Sequence, residues 1–185
     1  MLKALLHRAI AAKVERPFGY DAGYMHAMID ADPMTAIKFS IVTGLVRRKA
    51  APAEAIAAAG LVGTLMEDCG PCTQISIDMA VAGGARPEAL RAILAGELAG
   101  MGPDAALGYR FATAVLAKDL EAGDAARDEI VRRWGQKGLI AVSLGLTTAR
   151  MYPTLKYAMG YGRACSKVTV AGVAAPFERP LPMAA

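Results

Sequence analysis

The run Ala53-Glu-Ala-Ile-Ala-Ala-Ala-Gly-Leu-Val-Gly-Thr-Leu-Met66 limits the fold more than any other stretch of the chain. It is rich in alanine, the strongest helix former, and poor in the β-branched and aromatic residues that suit a pleated surface. Ile56, Leu61 and Leu65 are its larger side chains, and Pro52 stands where a proline opens a helix. The run therefore predicts a helix over about 53–66. It leads directly into Glu67-Asp68-Cys69-Gly70-Pro71-Cys72-Thr73-Gln74-Ile75-Ser76.

A Cys-Gly-Pro-Cys tetrapeptide belongs equally to the thioredoxin fold, but there it follows a β-strand, and a helix in front of it argues against that fold. The residues after Cys72 continue with helical spacing. If Cys69 stands at the first turn, Cys72 lies one turn further along the same face, close enough for a disulfide. Unpaired N–H groups at a helix start favour thiolate over thiol. Pro71 fits the first turn, where its missing N–H costs nothing. This is the chemistry of a redox dithiol. The alternatives are two reduced cysteines packed as small apolar residues, or a zinc site. Zinc wants four ligands, and Cys165, His7 and His26 are scattered with no second ligand pair at motif spacing, so no metal and no cofactor beyond the dithiol are expected.

The rest of the chain narrows the class. Its 185 residues suit one domain, and a hydrophobic fraction of 55% with only 6% aromatic residues points to closely packed helices. No apolar run is long enough to span a bilayer, so the surplus hydrophobicity is assigned to subunit interfaces rather than membrane. The net charge of +4 is mild, and Arg47-Arg48-Lys49 and Arg132-Arg133 have no interleaved aromatics, so nucleic acid is not expected as a partner. The N-terminus reads as an amphipathic helix, not a signal peptide. Three cysteines, an odd number, then place the chain in a reducing cytoplasm.

Taken in order, helical spacing predicts helices over about 2–13 and 21–29. Another, opened by Asp32-Pro33, carries Ile37, Ile41 and Leu45 on one face. Tyr20, Tyr24 and His26 are candidates for a pocket wall, with core packing as the other reading. After the dithiol, one helix should end at Gly83-Gly84, one should run from Arg86-Pro87 to near Gly100, and one from Pro103 to before Gly123. Asp124 is expected to cap a helix ending at Gly135. The last helix should cover about 137–159, with Ile140, Leu144 and Leu146 in an apolar, small-residue-rich half and a kink or break at Pro153. Beyond Ser166 the chain reads as extended, reaching towards a neighbouring subunit. The organisation is thus a helical extension (1–50), a helical core (51–165) and an extended tail (166–185), forming one all-α domain.

The segment from about Ala51 to Tyr161 resembles the carboxymuconolactone decarboxylase-like superfamily, and within it the alkylhydroperoxidase D (AhpD)-like proteins. Cys69-Gly-Pro-Cys72, Met79-Ala-Val-Ala-Gly-Gly84, Arg86-Pro-Glu-Ala-Leu-Arg-Ala-Ile-Leu94 and Gly138 to Tyr152 carry the likeness. It implies an all-α bundle assembled as a dimer, trimer or hexamer. It further implies reduction of a hydroperoxide, with electrons arriving from a thiol or dithiol donor through the two cysteines. The family's redox members place a glutamate twelve positions before the first cysteine and a histidine four after the second; those positions here hold Ala57 and Ser76. Glu67, directly before the dithiol, is a candidate for taking or relaying the thiol proton, with Ser76 hydrogen-bonding the thiolate or a water. Alternatively, Glu67 and Asp68 merely favour the helix N-terminus. Helix-start electrostatics favour Cys69 as the more acidic thiol. The resemblance implies that Cys72 attacks peroxide and Cys69 resolves the sulfenic acid. Two other readings stand beside this one: a helical oligomer or small-ligand binder without the relay, and a lyase of the carboxymuconolactone decarboxylase kind.

Overall fold

A computed structural model describes residues 1–44, 49–162 and 168–175. Leu45, Arg47, Arg48, Cys165 and the tail from Pro176 onward, to which sequence roles were assigned above, lie outside the described residues. The described chain is helical apart from one short hairpin.

The Ala-rich run forms a helix, α5 (Ala53–Met66), at the centre of the molecule. It packs against α6 (Gly70–Ala82), α7 (Pro87–Ala95), α9 (Pro103–Ala117) and α10 (Leu120–Ala158). Its small residues let those neighbours approach closely. A Cβ on Gly63 would stand 2.9 Å from the Leu146 carbonyl oxygen of α10, and one on Gly145 would stand 3.0 Å from Ile56 Cγ2. Two apolar cores flank α5. One joins Leu61, Leu65, Ile77, Leu90, Ile93 and Met101; the other joins Val62, Leu107, Phe111, Ile130, Val142 and Leu146. Glu54 in the first turn of α5 accepts bonds from the Arg86 backbone N–H (3.1 Å) and guanidinium (Nε, 2.8 Å), which fixes the start of α7. Those bonds hold the Glu54 carboxyl below its ordinary range.

Ahead of α5 lie α1 (Leu2–Ile10), a π-helical turn (Ala11–Glu15), α2 (Arg16–Phe18), α3 (Gly23–Ala31) and α4 (Pro33–Thr43). Left-handed Gly19 (φ 59°) ends the first helical stretch. A hydrogen-bonded chain ties α1 to α3: Asp30 to His7 Nε2 (2.9 Å), His7 Nδ1 to His26 Nδ1 (2.6 Å), and His26 Nε2 to Glu15 (3.0 Å). His26 is thereby placed in a helix junction. Tyr20, Tyr24 and Met25 pack with Ile75 of α6, with Tyr152 and Leu155 of α10 and with Met159 at its C-cap. The N-terminal segment is therefore built into the bundle.

Asp32 caps α4 as its sequence indicates, accepting from Met34 N (2.9 Å) and Thr35 N (3.2 Å). The Thr35 hydroxyl bond, followed by those backbone bonds, lowers the Asp32 pKa. The cap is thus fully formed above the ordinary aspartate range and is lost as pH falls through the lowered folded value. Asp32→Asn still accepts the bonds but gains no proton. It is expected to lose less melting temperature than wild type between neutral pH and about pH 3, by thermal unfolding at each pH.

Several boundaries differ from the sequence reading. The helix from Pro87 stops at left-handed Gly96 (φ 68°), and a separate turn, α8 (Leu98–Met101), follows. Helix α9 ends at Lys118, itself left-handed (φ 58°). Asp119, not Asp124, caps α10, so Gly123 lies inside a helix. Gly135 (φ 68°) breaks α10 into 120–134 and 136–158, as its sequence suggests. Pro153 breaks nothing, because both sides of it are pinned: Tyr152 donates to Thr43 Oγ1 (2.6 Å), and Arg150 and Thr154 bind Glu67. On α4, Ala36 is buried and Ile41 is exposed. On α10, Ile140 is exposed while Ala141, Val142 and Leu146 are buried. Residues 168–175 do not run out as a single extended segment. β1 (Thr169–Val170) and β2 (Val173–Ala174) form a hairpin, and the Gln74 side chain on α6 both accepts from Thr169 N (2.7 Å) and donates to its carbonyl (3.1 Å). Among the described residues no helix is long and apolar enough to cross a membrane.

Candidate active site: a dithiol beside an open cavity

Cys69 is the N-cap of α6, and Gly70, Pro71 and Cys72 form its first turn. Their Cα atoms are 5.2 Å apart, and the two are joined as a disulfide. The loop that presents them is fastened to α10. Asp68 adopts a left-handed φ of 53°, and its carbonyl accepts a bond from the Tyr157 hydroxyl (2.7 Å). Glu67 accepts from Arg150 Nε (2.6 Å) on one carboxylate oxygen and from the Thr154 hydroxyl (3.2 Å) on the other. Glu67 is thus engaged with α10 and anchors the loop; it is not among the residues facing the cavity described next.

A cavity of about 480 Å³ opens beside the dithiol, and Cys72 is on its wall while Cys69 is not. Ala57 from α5 and Ser76 from α6 share that wall with Cys72. The Ser76 hydroxyl donates to the Cys72 carbonyl (2.8 Å), so its proton is directed to the backbone and only its lone pairs are offered to a ligand. The remaining lining is mostly apolar, including Ile56, Leu61, Ile75 and Met79. Exposed Lys49, Ala53 and Gly83 mark where the cavity meets solvent.

The far wall comes from the N-terminal segment, with Val14, Tyr20, Tyr24, Met25 and Thr43. The Tyr20 hydroxyl lies 3.7 Å from Cys72 Sγ, and it is the donor of that contact because a disulfide sulfur has no proton. Tyr24 packs beside Tyr20. Burial pushes both phenols above their ordinary value; for Tyr20 the neighbouring Tyr24 hydroxyl works in the opposite direction. Above the Tyr20 ring, 5.3 Å from its centroid, sits the Lys156 amino group. Lys156 is only 3% exposed, and its Nζ has no hydrogen-bond partner among the described residues. Burial lowers its pKa, with Asp21 acting in the opposite direction.

Of the four residues proposed from sequence, the structure brings Cys69, Cys72 and Ser76 together and turns Glu67 towards Arg150. Sequence reading missed Lys156, although a signal was present. It lies four residues after Tyr152 and three before Met159, inside an otherwise apolar helical stripe. A second depression of about 550 Å³ lies between α9 and α10, beside Arg110 and Glu129, with no cysteine, histidine or tyrosine on its wall. No group of three or more potential metal ligands occurs among the described residues. No protein-family model matches the chain, and no curated protein or solved structure shows detectable similarity to it.

Proposed function

We propose that this chain is a dithiol oxidoreductase of the AhpD-like kind that reduces a hydroperoxide. The observation that carries the reading is the asymmetry of the pair: Cys72 faces a substrate-sized cavity, and its bonded partner Cys69 stands off that wall. In the proposed cycle the Cys72 thiolate attacks the distal peroxide oxygen, so an S–O bond forms as the O–O bond breaks. The peroxide leaves as an alcohol, and Cys72 becomes a sulfenic acid. The Cys69 thiol displaces water from that sulfenic acid and gives the disulfide seen here. A thiol or dithiol donor then returns both sulfurs to thiols and is itself oxidised to a disulfide. A reducing cytoplasm would supply such a donor. Exposed Met34, Ile41 and Val42 on α4 support assembly as a homo-oligomer.

A second reading is a non-catalytic binder of small apolar ligands. Its support is the mostly apolar cavity in which Ala57 and Ser76 occupy the positions of the family's proton relay. Counting free thiols in the reduced protein before and after one equivalent of an alkyl hydroperoxide, with turnover followed in the presence of a dithiol, separates the two. Loss of two thiols per chain, with continued consumption when dithiol is present, is the expected result. Unchanged thiols and no consumption leave the binder.

A further inference from the structure

The relay positions hold a methyl group and a backbone-bonded serine, so another group on the cavity wall must handle the proton of Cys72. Tyr20 is the side chain whose polar atom reaches the sulfur, at 3.7 Å. It comes from outside the segment that carries the family resemblance. The groups around it are Tyr24 on α3, Tyr152 and Lys156 on α10, and Asp21 beside it in the chain. Lys156 is the basic side chain of that set, and a buried amino group with no hydrogen-bond partner among the described residues costs stability that a methyl-ended side chain would not. Its place over the Tyr20 ring accounts for the cost: the positive charge favours negative charge on the hydroxyl–sulfur pair below it.

We propose that Tyr20 is a catalytic residue that holds the Cys72 thiolate by a hydrogen bond and passes its proton to the departing oxygen, with Lys156 as the positioning residue above its ring. The inference rests on the peroxidase reading for the second half of that role. When Cys72 ionises, its proton leaves to water at the cavity mouth, and the neutral Tyr20 hydroxyl holds the thiolate by donating to it. When sulfur attacks and the O–O bond breaks, the Tyr20 hydroxyl protonates the alkoxide and is reprotonated from water, so one proton leaves the thiol and one reaches the alcohol. The raised pKa of Tyr20 suits this, because the phenol remains a donor at neutral pH.

The test is the pH dependence of Cys72 alkylation by iodoacetamide, read by peptide mass spectrometry in full-length reduced protein carrying Cys69→Ser. Tyr20→Phe removes one oxygen and keeps the ring. It is expected to move the alkylation midpoint up by about one pH unit and to slow alkylation at pH 7 about tenfold, since a hydrogen bond to the charged form is lost. Lys156→Met should shift the midpoint the same way while raising the melting temperature, a combination that a purely structural lysine would not give. Superimposable pH profiles for wild type and Tyr20→Phe overturn the inference. This readout needs no peroxide. A protein that shows the Tyr20 shift but consumes no hydroperoxide disproves the peroxidase reading and keeps Tyr20 as the group that tunes the thiol. One that consumes hydroperoxide with unshifted profiles does the reverse.

Discussion

Cys72→Ser is expected to abolish hydroperoxide consumption, lowering the rate about a thousandfold or more, because it removes the atom that attacks in the proposed cycle. Cys69→Ser should behave differently. Its Cys72 can still be oxidised once, so one equivalent of peroxide disappears and the reaction then stalls at the sulfenic acid, which is trapped by a dimedone-type reagent and detected by mass. Two arguments compete over which sulfur attacks. Cys69, as N-cap, sits at the start of a helix, whose free N–H groups favour a thiolate. Cys72 has the cavity and the Tyr20 hydroxyl. Access decides, because a substrate must reach the attacking sulfur along its O–O axis, and an acidic thiol off the wall has nothing to attack. Serine is nearly isosteric with cysteine, so both variants should keep the wild-type helical circular dichroism. A single equivalent consumed by Cys72→Ser, and none by Cys69→Ser, would invert the assignment.

What the sequence made legible was local. Alanine content and Pro52 place α5 at Ala53–Met66, the cysteines stand at the next helix start, and Gly83 and Gly84 close that helix. These features act within one turn, so a one-dimensional reading captures them. The errors came where tertiary contacts overruled a local signal. Pro153 marks a break by local rules, yet its neighbours are held to Thr43 and Glu67 from other elements. Lys118 takes a left-handed conformation that local rules assign to glycine, and that moved a helix boundary away from Gly123. The site shows the same division. Cys69, Cys72 and Ser76 lie within a few residues of one another and were found together. Tyr20 and Lys156 are separated from Cys72 by 52 and 84 positions, and only packing of the N-terminal helices against α10 brings them into one place. Glu67 was adjacent in sequence and still turned away, because Arg150 gives its carboxylate a closer partner than any thiol does.

The architecture that creates this cavity should be most sensitive at Gly108. A Cβ built there lies 2.2 Å from the Ala55 carbonyl oxygen and 3.0 Å from its Cα, so the obstacle is the backbone of α5 and no rotamer change relieves it. Either α9 or α5 must move. Gly108→Ala is therefore expected to destabilise by about 2–3 kcal/mol, even after the gain of up to about 1 kcal/mol that alanine brings to a helix interior. For a chain of this size that corresponds to a fall in melting temperature of about 5–10 °C. Gly123→Ala supplies the internal control. Its Cβ would meet only the Arg127 guanidinium, at 3.6 Å, which is ordinary contact, so the same substitution should raise stability by about 0.5–1 kcal/mol. Opposite signs for one chemical change, measured by urea and thermal unfolding, would place the close α5–α9 crossing at Gly108 in solution. A mild or stabilising effect at Gly108 would mean that the two helices stand further apart. The outcome also bears on the chemistry, since Ala57, Gly60, Leu61 and Thr64 of α5 line the cavity. A displacement of α5 in Gly108→Ala must reshape the space in front of Cys72, and the rate of Cys72 alkylation in that variant reports it.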